Sequence, residues 1–192
     1  MATYTLITAS TAEPISVAAV RTLLKFEDDS NDAAIALNLP AAIARVQDIT
    51  NERLAPGEVW ELTLDAFPAA IELARGPVIS VEWIKYYAPD GQLTTLAAET
   101  YDLDIVSKPA RIIPADGNSW PAIKRQQNAV VVRFTAGWPM TGGGTPVTTM
   151  PAELLLAVHG LVQHRIENGA LASDPAGLSN MLEPRRAQWF FS

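Results

Sequence analysis

The hydrophobic period of this chain switches twice, and those switches limit its fold more than any other feature. From about Glu58 to Trp138, apolar residues alternate with polar ones as in a half-buried strand. The segments on either side repeat every three to four residues, as a helix does. Ahead of the first switch, Ser16 is a good N-cap for a short helix to about Lys25, with Val17, Val20, Leu23 and Leu24 on one face. The acidic turn Glu27 to Asp32 ends it and caps a longer helix striped by Ile35, Leu39, Ile43, Val46 and Ile49. Pro40 stands inside that stripe. Proline removes a backbone donor and crowds the preceding turn, costing about 3 kcal/mol in a straight helix, so a kink or restart is expected there.

After Ala55-Pro56-Gly57 the alternation begins with Val59 to Ala66 and closes at Phe67-Pro68. Val78 to Tyr87 is rich in β-branched and aromatic residues, and the turn Ala88-Pro89-Asp90-Gly91 predicts a hairpin into Gln92 to Leu96. Further strands are expected at Tyr101 to Val106, Arg111 to Ile113 and Ala129 to Thr135. The stretch 140–146, with Gly142-Gly143-Gly144 at its centre, reads as a flexible linker. Helical spacing then returns in Leu154, Leu155, Val158, Leu161, Val162 and Ile166, opened by Pro151 and closed at Asn168-Gly169. Pro175 opens a last helical segment toward Leu182. The fold class that follows is α+β: N- and C-terminal helices (1–56 and 146–192) form one bundle, with an antiparallel β-sheet or small β-sandwich (57–139) inserted and a glycine-rich linker at 140–145.

At 192 residues and 48% hydrophobic content the chain has ample material for a core. A balance of 14 basic against 21 acidic residues, net −7, argues against gripping nucleic acid through its phosphates. The absence of cysteine removes disulfide frameworks, thiolate metal sites and cysteine nucleophiles together. The first residues lack a basic region followed by an apolar core, and no stretch reaches the roughly 20 apolar residues of a membrane span, so the reading is a soluble, unprocessed chain without a membrane partner.

No constellation of side chains points to chemistry. Asp28, Asp29, Asn31 and Asp32 gather oxygen ligands, but Ala33 stands where a calcium loop needs glycine and no bidentate glutamate follows; helix capping explains the same residues. His159 and His164 are five apart, a spacing that does not align them on one helix face for zinc. No glycine pattern surrounds a serine as in a nucleophile elbow, and the glycine run lacks the lysine of a phosphate loop. Catalytic, cofactor and metal residues are accordingly none, and the chain is read as no enzyme. Two rival readings stay open. One is a soluble ligand- or carbohydrate-binding β-module with helical flanks, in which Trp60, Trp83 and Trp120 stack on a ligand instead of packing the sheet. The other is an enzyme built on the dispersed carboxylates Asp65, Glu82 and Asp104.

Four segments carry a resemblance to a known family: Gly76-Pro77-Val78 through Tyr86-Tyr87, the corner Trp120-Pro121, Asn128 through Val130-Val131-Val132 to Ala136-Gly137, and Met181-Leu182-Glu183-Pro184-Arg185-Arg186. Between about Ile15 and Arg186 the chain resembles the head-tail connector (adaptor) proteins of long-tailed bacteriophages and of phage-derived gene transfer agents. The resemblance implies a structural protein of the virion or phage-like particle, assembled in the host cytoplasm and placed at the head-tail junction. There it forms a ring, usually twelvefold, under the portal protein and meets a stopper or tail-completion protein on the other side, while genomic DNA passes through the lumen without specific binding. Within that frame the C-terminal segment Leu182 to Phe191 is expected to dock on the portal or a neighbouring subunit. Arg185 and Arg186 would pair with acids, and Trp189, Phe190 and Phe191 would fill apolar pockets.

Overall fold

The computed structural model describes residues 2–141, 147–170 and 172–188. Four helices make the bundle. The first, α1 (Val17–Leu23), is capped by Ser16, whose hydroxyl accepts the Ala19 N–H at 3.2 Å. The second, α2 (Asp32–Thr50), starts from the acidic turn, but Asn31 contributes no side-chain cap. Instead Asp28 accepts the Ser30 N–H at 3.1 Å, and Asp32 ties α2 back to α1 through Arg21 at 2.9 Å. α2 runs without interruption through Pro40, where a kink or restart was expected. Pro40 itself is exposed, while Ile35, Leu39, Ala42 and Val46 on one face are buried against the other helices, and that burial on both sides of the proline outweighs the local penalty.

Two further helices, α3 (Ala152–Asn168) and α4 (Ala176–Ala187), each follow a proline, and α3 ends at Gly169 with φ +97°. Leu154, Val158, Leu161, Leu178 and Leu182 from these helices share one core with Ile35 and Val46 of α2, and Ile43 packs on its margin. Helices from both ends of the chain therefore close a common interior.

The β unit is a two-layer sandwich. Its larger sheet contains β1 (Ala2–Thr8), β2 (Glu58–Leu64), β4 (Val78–Tyr87), β5 (Leu93–Thr95) and β8 (Val130–Ala136), in the order β1-β2-β8-β4-β5 and antiparallel throughout. The smaller sheet orders β3 (Ile71–Leu73), β7 (Ala110–Pro114) and β6 (Tyr101–Asp104) as β3-β7-β6. Leu62, Ile84, Val132 and Phe134 of the first sheet pack on Ile71, Leu73 and Ile112 of the second. The expected strands are present, and two more join them. β1 belongs to the sheet although the sequence reading groups it with the helical end; its register puts Tyr4 opposite Leu62. The Tyr4 hydroxyl crosses to the second sheet, donating to the Glu72 carbonyl at 3.0 Å and accepting the Ala74 N–H at 2.9 Å. The Gly142–Gly144 linker lies outside the described residues; flanking it, β9 (Met140–Thr141) and β10 (Val147–Thr148) pair antiparallel.

After the passage from β1 to α1, the chain crosses from the bundle to the β unit at residues 51–57 and back again after β8. At the second crossing Gly137 has φ +123°, and a Cβ there would lie 1.9 Å from the Ala55 carbonyl oxygen, so only glycine fits. At the first, the Arg53 N–H bonds the Gly76 carbonyl at 2.6 Å, which draws the start of β4 against the end of α2.

Candidate functional site

The densest polar cluster sits where the two units meet. α2 ends at Asn51, which adopts φ +57°, and this reversal turns the next residue, Glu52, into the interior. The Glu52 carboxylate is fully buried and surrounded by donors from three other parts of the chain. Arg185 of α4 gives it a fork, Nη2 at 2.9 Å from both oxygens and Nε at 3.1 Å from Oε1. Lys108, in the turn before β7, reaches Oε1 at 3.3 Å, and the Trp138 indole N–H bonds Oε2 at 3.0 Å. Glu153 of α3 takes the remaining side of the Arg185 guanidinium at 3.4 Å. The two cations also lie 5.7 and 5.8 Å from the Trp138 ring centroid, a cation–π distance. A buried carboxylate is tolerated only when fully hydrogen-bonded, and this one is. The arrangement pins the C-terminal helix to the end of α2, to the turn that leads into β7 and to the segment that leaves β8, at one point.

The five residues named as docking candidates separate accordingly. Arg185 faces inward and is 11% exposed, engaged with Glu52. Arg186, on the next position of the helix, is 54% exposed and lies 3.7 Å from Glu183. Trp189, Phe190 and Phe191 fall outside the described residues. Glu52, Lys108 and Trp138 were not singled out from sequence. They are 30 to 86 positions apart and share no spacing rule, so nothing local signals that they converge.

The tryptophans of the rival reading already have partners within the chain. Trp120 stacks on Phe67 with centroids 4.7 Å apart and gives its N–H to the Pro68 carbonyl at 2.7 Å. Trp60 bonds Glu58 at 3.0 Å, with the Arg53 and Arg75 guanidinium groups within 5.7 Å of its ring. Trp83 lies near Lys85 and Arg133, at 4.3 and 4.8 Å from the ring centroid, and Arg133 in turn pairs with Glu61.

The dispersed carboxylates are likewise engaged locally. Asp65 accepts the Asn128 N–H, Glu82 accepts the Thr135 hydroxyl, and Asp104 braces its own turn. His164 contacts the Ser173 carbonyl at 2.9 Å and so fastens the loop before α4. His159 is buried with neither ring nitrogen hydrogen-bonded, and loss of hydration pushes its pKa below the ordinary imidazole value. Among the described residues no group of three or more His, Cys, Asp or Glu is placed to hold a metal ion, and no helix is long and apolar enough to cross a membrane.

No protein-family model and no curated protein matches the sequence. Solved structures do match, over nearly the whole chain. A chain in the neck of an empty gene transfer agent particle, computed with C6 symmetry, is 27% identical with a TM-score of 0.70, covering 96% of this chain and 95% of that one. A chain in the virion of the native particle is 26% identical with a TM-score of 0.72, covering 95% and 94%. A chain in the neck of the native particle, computed with C12 symmetry, is 27% identical with a TM-score of 0.70, covering 96% and 94%. Over nearly its whole length the chain is thus similar in fold and sequence to chains of gene transfer agent particles and their necks, a likeness consistent with the head-tail connector family.

Proposed function

We propose that this chain is the adaptor of a head-tail neck, a structural protein that forms a ring under the portal and joins the DNA-filled head to the tail or to the next head-completion protein. The observation that carries the reading is the whole-chain likeness to chains of particle necks computed with C6 and C12 symmetry. A ring of identical copies joined head to tail needs rigid subunits, and the Glu52 cluster makes the bundle and the sandwich one mechanical piece. The net charge of −7 suits a conduit, since acidic walls repel phosphate and let DNA slide.

The C-terminal segment is the portal-facing element in this reading. Arg185 anchors α4 from inside, Arg186 offers charge from its outer side, and Trp189, Phe190 and Phe191 supply apolar anchors beyond it. The test is the mass of the purified chain with and without portal protein. Alone, it should be a monomer or a weak mixed oligomer, because closing a ring from small contacts costs each copy its rotational and translational freedom. With portal, a defined multi-copy complex should form. A chain truncated after Gln188 should lose portal binding at unchanged melting temperature. A full-length chain that ignores portal overturns the adaptor reading, and a truncated chain that still binds removes the tail from it.

A further inference from the structure

We propose that Arg53 and Arg75 form a binding site for one small oxyanion, a carboxylate or an inorganic phosphate, where the end of α2 meets the sandwich. Arg53 follows α2, and Arg75 leads from β3 into β4; the bond from the Arg53 N–H to the Gly76 carbonyl holds the two stretches together. Both guanidinium groups lie against Trp60, at 5.6 and 5.7 Å from its ring centroid, and that of Arg75 is also 5.2 Å from the centroid of Tyr4. Arg21, Arg45, Arg111, Arg133, Arg185 and Arg186 each pair with a carboxylate, whereas no ion pair among the described residues engages Arg53 or Arg75. Glu58, two positions from Trp60, accepts the indole N–H at 3.0 Å instead.

Two such cations side by side raise the energy of the lone chain. Loss of hydration, and after it the charge of Arg75, push the pKa of Arg53 below the usual guanidinium value. Both Nε–H groups are buried without an acceptor. The outer ends of the two side chains differ. Arg53 gives Nη2 to the Gln47 carbonyl at 3.3 Å and Arg75 gives Nη1 to the Asn51 side-chain oxygen at 3.5 Å, so Arg53 Nη1 and Arg75 Nη2 keep no protein partner and stay open to solvent. Packing accounts for one guanidinium on an indole, but a second beside it adds repulsion that no paired acid offsets. One anion shared by the two free Nη groups removes that repulsion and supplies charge-assisted hydrogen bonds, about twice as strong as neutral ones. Little ordering entropy opposes it, because the rings and the Gln47 and Asn51 bonds already hold both side chains. The net charge of −7, with Asp48 and Glu58 near Arg53, opposes a long phosphate backbone more than one compact group.

The test uses the native chain. Arginine Nε–H and tryptophan indole N–H signals are followed by NMR during separate titrations with sodium phosphate and sodium acetate, each against sodium chloride at equal ionic strength. Saturable shifts should appear at Arg53, Arg75 and Trp60 with at least one oxyanion and not with chloride, while Arg21 and Arg133, already paired, stay still. Saturation at lower phosphate than acetate assigns the site to free phosphate, and the reverse order assigns it to the carboxylate of a side chain; either result supports the site. Arg75→Met keeps an unbranched stem against Tyr4 and Trp60 and should weaken the same anion about tenfold, the share of one charge-assisted contact. Shifts spread evenly over all arginines, equal shifts in chloride, or unchanged affinity in Arg75→Met overturn the site, and the native titrations decide even where that variant does not fold. A short DNA duplex that shifts Arg53 and Arg75 at lower concentration than either small anion makes the surface a nucleic-acid contact and overturns the proposal as well.

Discussion

Glu52 has no contact with water and is held by Arg185, Lys108 and Trp138, so its loss strands two cations at the junction. Removing one partner of a buried ion pair costs about 3–5 kcal/mol, because the other charge stays buried without compensation, whereas replacing both by apolar groups is often neutral. Glu52→Leu and Arg185→Leu should each destabilise by several kcal/mol in chemical denaturation, and the double variant should recover a large part of that loss. Additive losses would mean that the pair is not a unit. His159 gives a pH signature. Its folded-state pKa is depressed by burial, so the native state keeps it neutral while the unfolded chain takes up a proton below about 6.5. Its contribution to stability is full above that pH and is lost as the pH falls toward the folded value. Urea midpoints between pH 7.5 and 5 should fall for the native chain, and less steeply for His159→Leu.

At the scale of elements, the most demanding one is the end of β8. Gly137→Ala puts a Cβ against the main-chain oxygen of Ala55 and forces a side chain into φ +123°; neither backbone can yield without opening the crossing between the units. A loss of roughly 2 kcal/mol or more in thermal or chemical unfolding is expected. The helices of the bundle and most strands were legible because long apolar stripes and a clear alternation reflect burial directly.

Three features were not. β1 (Ala2–Thr8) is a strand at a sheet edge with only Tyr4 partly buried, so it shows no buried alternation, and its partner β2 lies more than fifty residues away. β3 has three residues, too few to show a period. Pro40 was read by its local cost, and the packing of Ile35, Leu39, Ala42 and Val46 around it overrode that cost. The same limit applies to the site. Arg185 was noticed as a basic residue near the end of the chain, but its partner Glu52 is 133 positions away, and only the folded chain brings the two together.

For the whole molecule, the proposal is that a two-unit subunit, tied at Glu52, forms a ring in a head-tail neck. The likeness to neck chains covers bundle and sandwich together, so the claim concerns the complete described chain and not one unit of it. Its most direct test is a cryo-electron microscopy reconstruction of the particle that incorporates this chain, with the symmetry at the head-tail junction left free. The account predicts a closed ring of about twelve copies between portal and tail, contacting the portal through the segment after Gln188, with α4 still fixed to Glu52. Density for this chain elsewhere in the particle, or a single copy with no ring at the junction, would contradict it.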